Sequence, residues 1–110
     1  GPDPVFCGIR GEDPKSLLTA FELVKKYENL AGYMMFKSNQ GTGDHLRNNL
    51  DVTQIRPYMS GVITGYVSKE PAMEKGRHVF FSVKSLNTEI ECAVYRPTRL
   101  TPIALKLRAG

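Results

Sequence analysis

The chain has 110 residues, enough for one ordinary domain or two very small ones, since single cores take ~100–150 residues, and too few for a large enzyme. Apolar residues make up 41% and charged residues 24%, a globular balance that excludes wholesale disorder. Fifteen Lys and Arg against eleven Asp and Glu leave +4, and the excess lies wholly beyond residue 50, which points the second half toward a polyanion.

No apolar run approaches the ~20 residues that cross a bilayer, and Gly1-Pro2-Asp3-Pro4 does not read as a signal peptide. The expectation is a soluble, cytoplasmic protein with no membrane partner. Cys7 and Cys92 belong to no C-x-x-C pair, so the chain carries no zinc-ribbon site, and no metal site is expected. Both read as buried thiols within apolar strands, with a single disulfide left open.

Val5 to Ile9 reads as a strand. Asp13 as N-cap and Pro14 at the first helical position then predict a helix over 14–28, with Leu17, Ala20, Phe21, Val24 and Tyr27 along one stripe. Tyr33 to Lys37 predicts a second strand buried on both faces. Strand, helix and strand make a βαβ unit with parallel strands and a right-handed crossover. The loop that follows, Ser38-Asn39-Gln40-Gly41-Thr42-Gly43-Asp44-His45-Leu46, is the most chemically loaded stretch and stands where open α/β sheets bind ligands. It is no Walker loop. It is equally readable as a glycine turn with polar caps.

Residues 47–58 are polar, unperiodic and contain Pro57, and the domain boundary is placed there. Beyond it the period becomes two. Gly61 to Ser68 predicts a strand bent at Gly65. A turn at 74–76 leads into 77–84, with Val79, Phe81 and Val83 facing inward and His78, Phe80, Ser82 and Lys84 outward. A turn at 85–88 leads into 89–95, with Ile90, Cys92 and Val94 inward. Thr101 as N-cap and Pro102 start a short helix carrying Ile103, Ala104 and Leu107, with Gly110 as its C-terminal cap.

The predicted fold class is α+β: a βαβ unit over 1–46, a linker over 47–58, and over 59–110 an antiparallel meander of three strands with a short helix. A glycine-bent meander followed by a helix is how an OB-fold begins. Three strands alone leave an open edge, so the sequence reads as a piece of a longer polypeptide whose missing pairing comes from the βαβ half or from self-association. Nucleic-acid binding needs cations beside stacking rings, and Arg77, Phe80, Tyr95, Arg96 and Arg99 are the candidates, with four basic and no acidic residues from Arg96 to Gly110. No catalytic residue is expected: Asp44 and His45 adjoin each other, but no nucleophile or metal set accompanies them.

The run Gly8-Ile9-Arg10-Gly11-Glu12-Asp13-Pro14, the loop Asn39-Gln40-Gly41-Thr42-Gly43-Asp44-His45-Leu46, the Ser60-Gly61-Val62 strand and Ala93-Val94-Tyr95-Arg96-Pro97-Thr98 together resemble the archaeal agmatinylcytidine synthetases acting on the AUA-decoding isoleucine tRNA, the TiaS family. The resemblance covers nearly the whole chain, spanning the end of a ferredoxin-like domain and the start of an OB-fold. It implies part of an ATP-dependent ligase joining agmatine to C2 of the wobble cytidine, through phosphorylation of the C2 oxygen and then amine attack. ATP and magnesium would belong mainly to a kinase-like domain and zinc to a ribbon, both absent here, leaving no cofactor for this piece. Arg10, Asn39, Gln40, Gly41, Thr42, Asp44 and His45 are then candidates for facing agmatine or tRNA, Asp44 as a carboxylate for a guanidinium. Arg77, Phe80, Arg96 and Arg99 would touch tRNA. The alternatives are a noncatalytic single-strand-binding OB module, and a protein-interaction fragment with an open edge.

Overall fold

The computed structural model describes residues 4–16, 18–25, 33–38, 52–57 and 59–110. Six strands form a closed barrel in sequential order: β1 (Val5–Ile9), β2 (Leu18–Lys25), β3 (Tyr33–Ser38), β4 (Ile63–Glu74), β5 (His78–Ser85) and β6 (Thr88–Val94), followed by a short helix α1 (Thr101–Leu105). Every ladder is antiparallel. The α+β reading therefore holds in its coarse form, a mostly antiparallel sheet with a short helix behind it.

The βαβ unit is corrected. Asp13 and Pro14 do start a helical segment, but it lasts a single 3-10 turn, Pro14–Ser16, in which the Asp13 carboxylate accepts from the Lys15 N–H at 3.2 Å. The chain then extends as β2, antiparallel to both β1 and β3. A short apolar run satisfies helical and extended periods alike, and pairing on both sides decides between them. Extension satisfies the backbone groups of Phe21 to Lys25 against Ser38 to Met34.

The meander follows the sequence reading in order and pairing, but β4 is corrected: expected over Gly61 to Ser68, it begins at Ile63 and runs on through Pro71 to Glu74. Lys75 and Gly76 both take positive φ, +55° and +70°, as a tight hairpin between right-twisted strands requires. Gly65 serves close approach: a Cβ there would meet the Lys84 carbonyl oxygen and lie 2.6 Å from Val83 Cγ1. The irregularities of β4 come later, between Val67 and Lys69 and between Lys69 and Ala72.

Period-two burial builds the core. Val79, Phe81 and Val83 on β5 and Ile90, Cys92 and Val94 on β6 are all buried, packed with Val5 and Cys7 of β1, Leu23 of β2 and Ile63 and Val67 of β4. Ile55, from the 47–58 segment, joins them. Helix α1 seals the cluster with Leu100, Ala104 and Leu107, whereas Ile103 is exposed. Thr101 is the first helical residue and not its N-cap. Gly110 lies past the helix, its N–H donating to the Val67 carbonyl at 3.3 Å.

The edge that the meander alone would leave open is covered within the chain. β1 pairs with β6 through Phe6↔Ala93, Cys7↔Cys92, Gly8↔Glu91 and Ile9↔Ile90. Cys7 and Cys92 are free, buried thiols directly opposite one another. Burial, then the neighbouring Cys7 thiol, pushes the Cys92 thiol well above its ordinary value.

Candidate nucleic-acid interface

The β6 register sets the outer face. Ala93 pairs with Phe6 on one side and Phe80 on the other, while Cys92 pairs with Cys7 and Phe81. Alternation sends the Cys7, Cys92 and Phe81 row into the core and the Phe6, Ala93 and Phe80 row to the opposite face, where Ala93 is covered and the two rings are half-buried. Tyr95, two residues beyond Ala93, therefore emerges on that outer face. Its ring lies 5.2 Å from Phe6, 5.3 Å from His78 and 5.8 Å from Phe80 between centroids, the last two edge-on. These are favourable aromatic geometries.

The chain turns sharply after β6. Arg96 adopts φ +64°, a left-handed conformation that costs a non-glycine residue about 1 kcal/mol or more. Two side chains hold it there. His78 Nδ1 accepts the Arg96 N–H at 2.9 Å, which fixes the ring proton of neutral His78 on Nε2. The Thr101 hydroxyl donates to the Arg96 carbonyl at 3.2 Å and accepts the Thr98 N–H at 2.8 Å. A second hydroxyl, that of Thr98, accepts the Leu100 N–H at 3.1 Å.

Between this bend and the segment flanking β1 lies a groove of about 660 Å³, lined by Pro4, Phe6, Lys15, His78, Tyr95, Arg96, Pro97 and Thr98. Its walls are aromatic and prolyl, and Lys15 and Arg96 supply two cations. Asp13 and Glu91 lie on the Tyr95 side. The Tyr95 hydroxyl has its pKa pushed up to about 12, first by burial and then by the Asp13 and Glu91 charges. The phenol is thus kept neutral, and its ring face and edges are what the groove uses.

The five cation and ring candidates divide. Phe80, Tyr95 and Arg96 come together with His78, and Arg77 stands exposed at the start of β5, its N–H donating to the Glu74 carbonyl at 3.2 Å. Arg99 is exposed beyond the bend. Arg10 does not join them: its guanidinium pairs with Glu89 of β6. Asn39, Gln40, Gly41, Thr42, Asp44 and His45 lie outside the described residues. Phe6 and Lys15 belong to the groove although no sequence spacing marks them, because only the long-range β1–β6 register brings the β1 side beside Tyr95; Pro97 lies just beyond Tyr95 along the chain. Among the described residues no three His, Cys, Asp or Glu side chains gather to hold a metal ion, and no helix is long and apolar enough to cross a membrane.

Comparison with known proteins gives one consistent outcome. The family model described as the TiaS FLD domain matches residues 1–45. The chain is 50% identical over 110 residues to the isoleucine-tRNA 2-agmatinylcytidine synthetase TiaS of Cenarchaeum symbiosum, and 39% identical over 112 aligned residues to that of Thermofilum pendens. It is 38% identical to that of Methanocaldococcus jannaschii over 89% of its length. In the first two cases all of the chain matches but only 25% of the relative. The chain thus spans about a quarter of the length of these relatives. No solved structure matches it.

Proposed function

We infer, from the premise that the chain belongs to the TiaS family, that it is a segment of a ligase attaching agmatine to C2 of the wobble cytidine of the AUA-decoding isoleucine tRNA. The observation that carries this is the match over the whole chain at 50% identity to a protein of that name. In this reading the protein works in the cytoplasm on tRNA, and the reaction consumes ATP. ATP, magnesium and zinc would be handled mainly by other parts of the parent protein, as the family resemblance implies.

The segment itself serves tRNA binding and scaffolding. The match to the FLD domain ends at residue 45, so β1 to β3 are assigned to the FLD part, and β4 to β6 with α1, the proposed start of an OB-fold domain, close the same barrel. Arg77, Phe80, Tyr95, Arg96 and Arg99 carry the RNA contacts of the second part, supported by the outward rings around Tyr95. Residues 39–45 remain the proposed contact for agmatine or tRNA. The Glu89 carboxylate on the Arg10 guanidinium favours a structural role for Arg10.

The test is a salt titration of binding to the isoleucine tRNA, with an unrelated single strand as control. Selective, salt-sensitive tRNA binding is expected. Equal affinity for any single strand would replace this reading with the noncatalytic OB module, which the aromatic platform also suits. No binding to either would leave the segment a scaffold only.

A further inference from the structure

We propose that the groove between β1 and the Arg96 bend is a seat for one unpaired RNA nucleotide, its base against Phe6, His78 and Tyr95 and its phosphate on Lys15 and Arg96. The proposal rests on the tRNA-binding reading only for the source of the nucleotide. It goes beyond that reading in naming a pocket, three further contact residues (Phe6, Lys15 and His78) and the chemical class of the occupant.

Four observations converge on it. The groove, about 660 Å³, is large enough for a nucleotide. Its apolar lining is ring-shaped: Phe6 and His78 both stand within 5.3 Å of Tyr95, at 58° and 74° to it. Rings at such angles form two walls of a cleft, and a flat base inserts against one wall with its edge on another. Two cations line the groove, Lys15 from the turn after β1 and Arg96 from the turn after β6, and a phosphodiester in the groove can be met by either. Finally, the cost of a left-handed Arg96 is met by two dedicated hydrogen bonds, one from its N–H to His78 Nδ1 and one to its carbonyl from the Thr101 hydroxyl. Strain held in this way marks a backbone whose geometry matters to a site.

The lining also discriminates. Asp13, whose charge helps raise the Tyr95 phenol, accepts the Lys15 backbone N–H at 3.2 Å and disfavours a phosphate on its own side of the groove. His78 Nδ1 is occupied by Arg96, leaving its Nε2–H for a base edge or a 2′-hydroxyl. Exposed Arg77 directly precedes His78, which adds a cation beside the groove and favours a residue of a longer RNA over a free nucleotide.

The experiment follows the ring resonances of Phe6, His78 and Tyr95 in the 110-residue chain on adding a short unstructured oligoribonucleotide, the same oligomer with abasic riboses, a nucleoside 5′-monophosphate, and inorganic phosphate. The oligomer should shift all three rings and the abasic oligomer should not. Phe6→Leu, which keeps apolar bulk in β1, should weaken the oligomer by about 5- to 150-fold, the range for loss of a stacking ring. Lys15→Gln and Arg96→Gly should each weaken it by up to about fivefold, the second in a residue that tolerates the left-handed backbone. If Phe6→Leu does not fold, Lys15→Gln and the ring shifts decide alone. Equal shifts from the abasic oligomer, or from phosphate, would overturn the base seat, and a monophosphate binding as tightly as the oligomer would overturn the RNA source. tRNA binding with silent rings refutes the groove and leaves the tRNA reading intact. Ring shifts by the oligomer without any tRNA binding refute that reading and leave the groove.

Discussion

Replacing Gly65 by Ala perturbs the barrel at the point where β4 and β5 come closest. The added Cβ would lie 2.6 Å from Val83 Cγ1 and 3.0 Å from the Lys84 carbonyl carbon, and nearer still to the Lys84 carbonyl oxygen, where ordinary contact begins at 3.4 Å. Val83 is fully buried in the core and the carbonyl is ladder backbone, so neither neighbour is the free end of a flexible side chain. The two strands must part by roughly an ångström in an interior packed like a crystal. Overpacking of this kind costs about 2–3 kcal/mol, a large share of the ~5–15 kcal/mol that stabilises a domain of this size. Thermal unfolding followed by circular dichroism should show a midpoint lower by about 10–20 °C. A midpoint within a few degrees of the wild type would show that β4 and β5 are not this close, and would refute the register Tyr66↔Lys84 on which the outer face is built.

His78→Ala leaves the Arg96 N–H without its acceptor and should cost about 1 kcal/mol by urea titration; adding Arg96→Gly, which relieves the left-handed backbone, should restore part of it. Tyr95 should ionise near 12, against an ordinary 10, in an ultraviolet phenolate titration. Because the folded state keeps a proton that the unfolded state releases, the stability contributed by Tyr95 is complete below pH 10 and falls between about 10 and 12. Asp13→Asn should lower the phenol's value. Burial and the raised Cys92 thiol predict that the native protein is nearly inert to a thiol reagent at neutral pH, while the denatured chain reacts at both cysteines; rapid labelling of the native protein would contradict the β1–β6 seam.

Much of the second half was legible because its strands bury one face in a strict period of two, with only small residues such as Ser82 and Ala93 buried on the other. Val79, Phe81 and Val83, and then Ile90, Cys92 and Val94, alternate with polar or outward residues, and that pattern admits one periodicity. Lys75-Gly76 and Pro102 then mark the turn and the helix start by their backbone preferences. The first half misled for a local reason. The Asp13-Pro14 signal is genuine but initiates only a 3-10 turn, and the apolar residues after it fit a helix as well as a strand until their partners are known. Pairing with β1 and β3 supplies that information, and no short window of sequence contains it. The same limit applies to the groove. Phe80, Tyr95 and Arg96 were found from their alternation and charge. Phe6 and Lys15 enter through the β1–β6 ladder, a contact between the two ends of the chain that no local spacing announces.

The salt dependence of tRNA affinity in the wild type and in Lys15→Gln tests the central claim most directly. If the groove holds RNA with Lys15 on a phosphate, the slope of log K against log salt should fall by about 0.7–0.9 in the variant, while thermal stability, read in parallel, stays unchanged because Lys15 is exposed. Superimposable slopes, with affinity unaltered at every salt concentration, would contradict it.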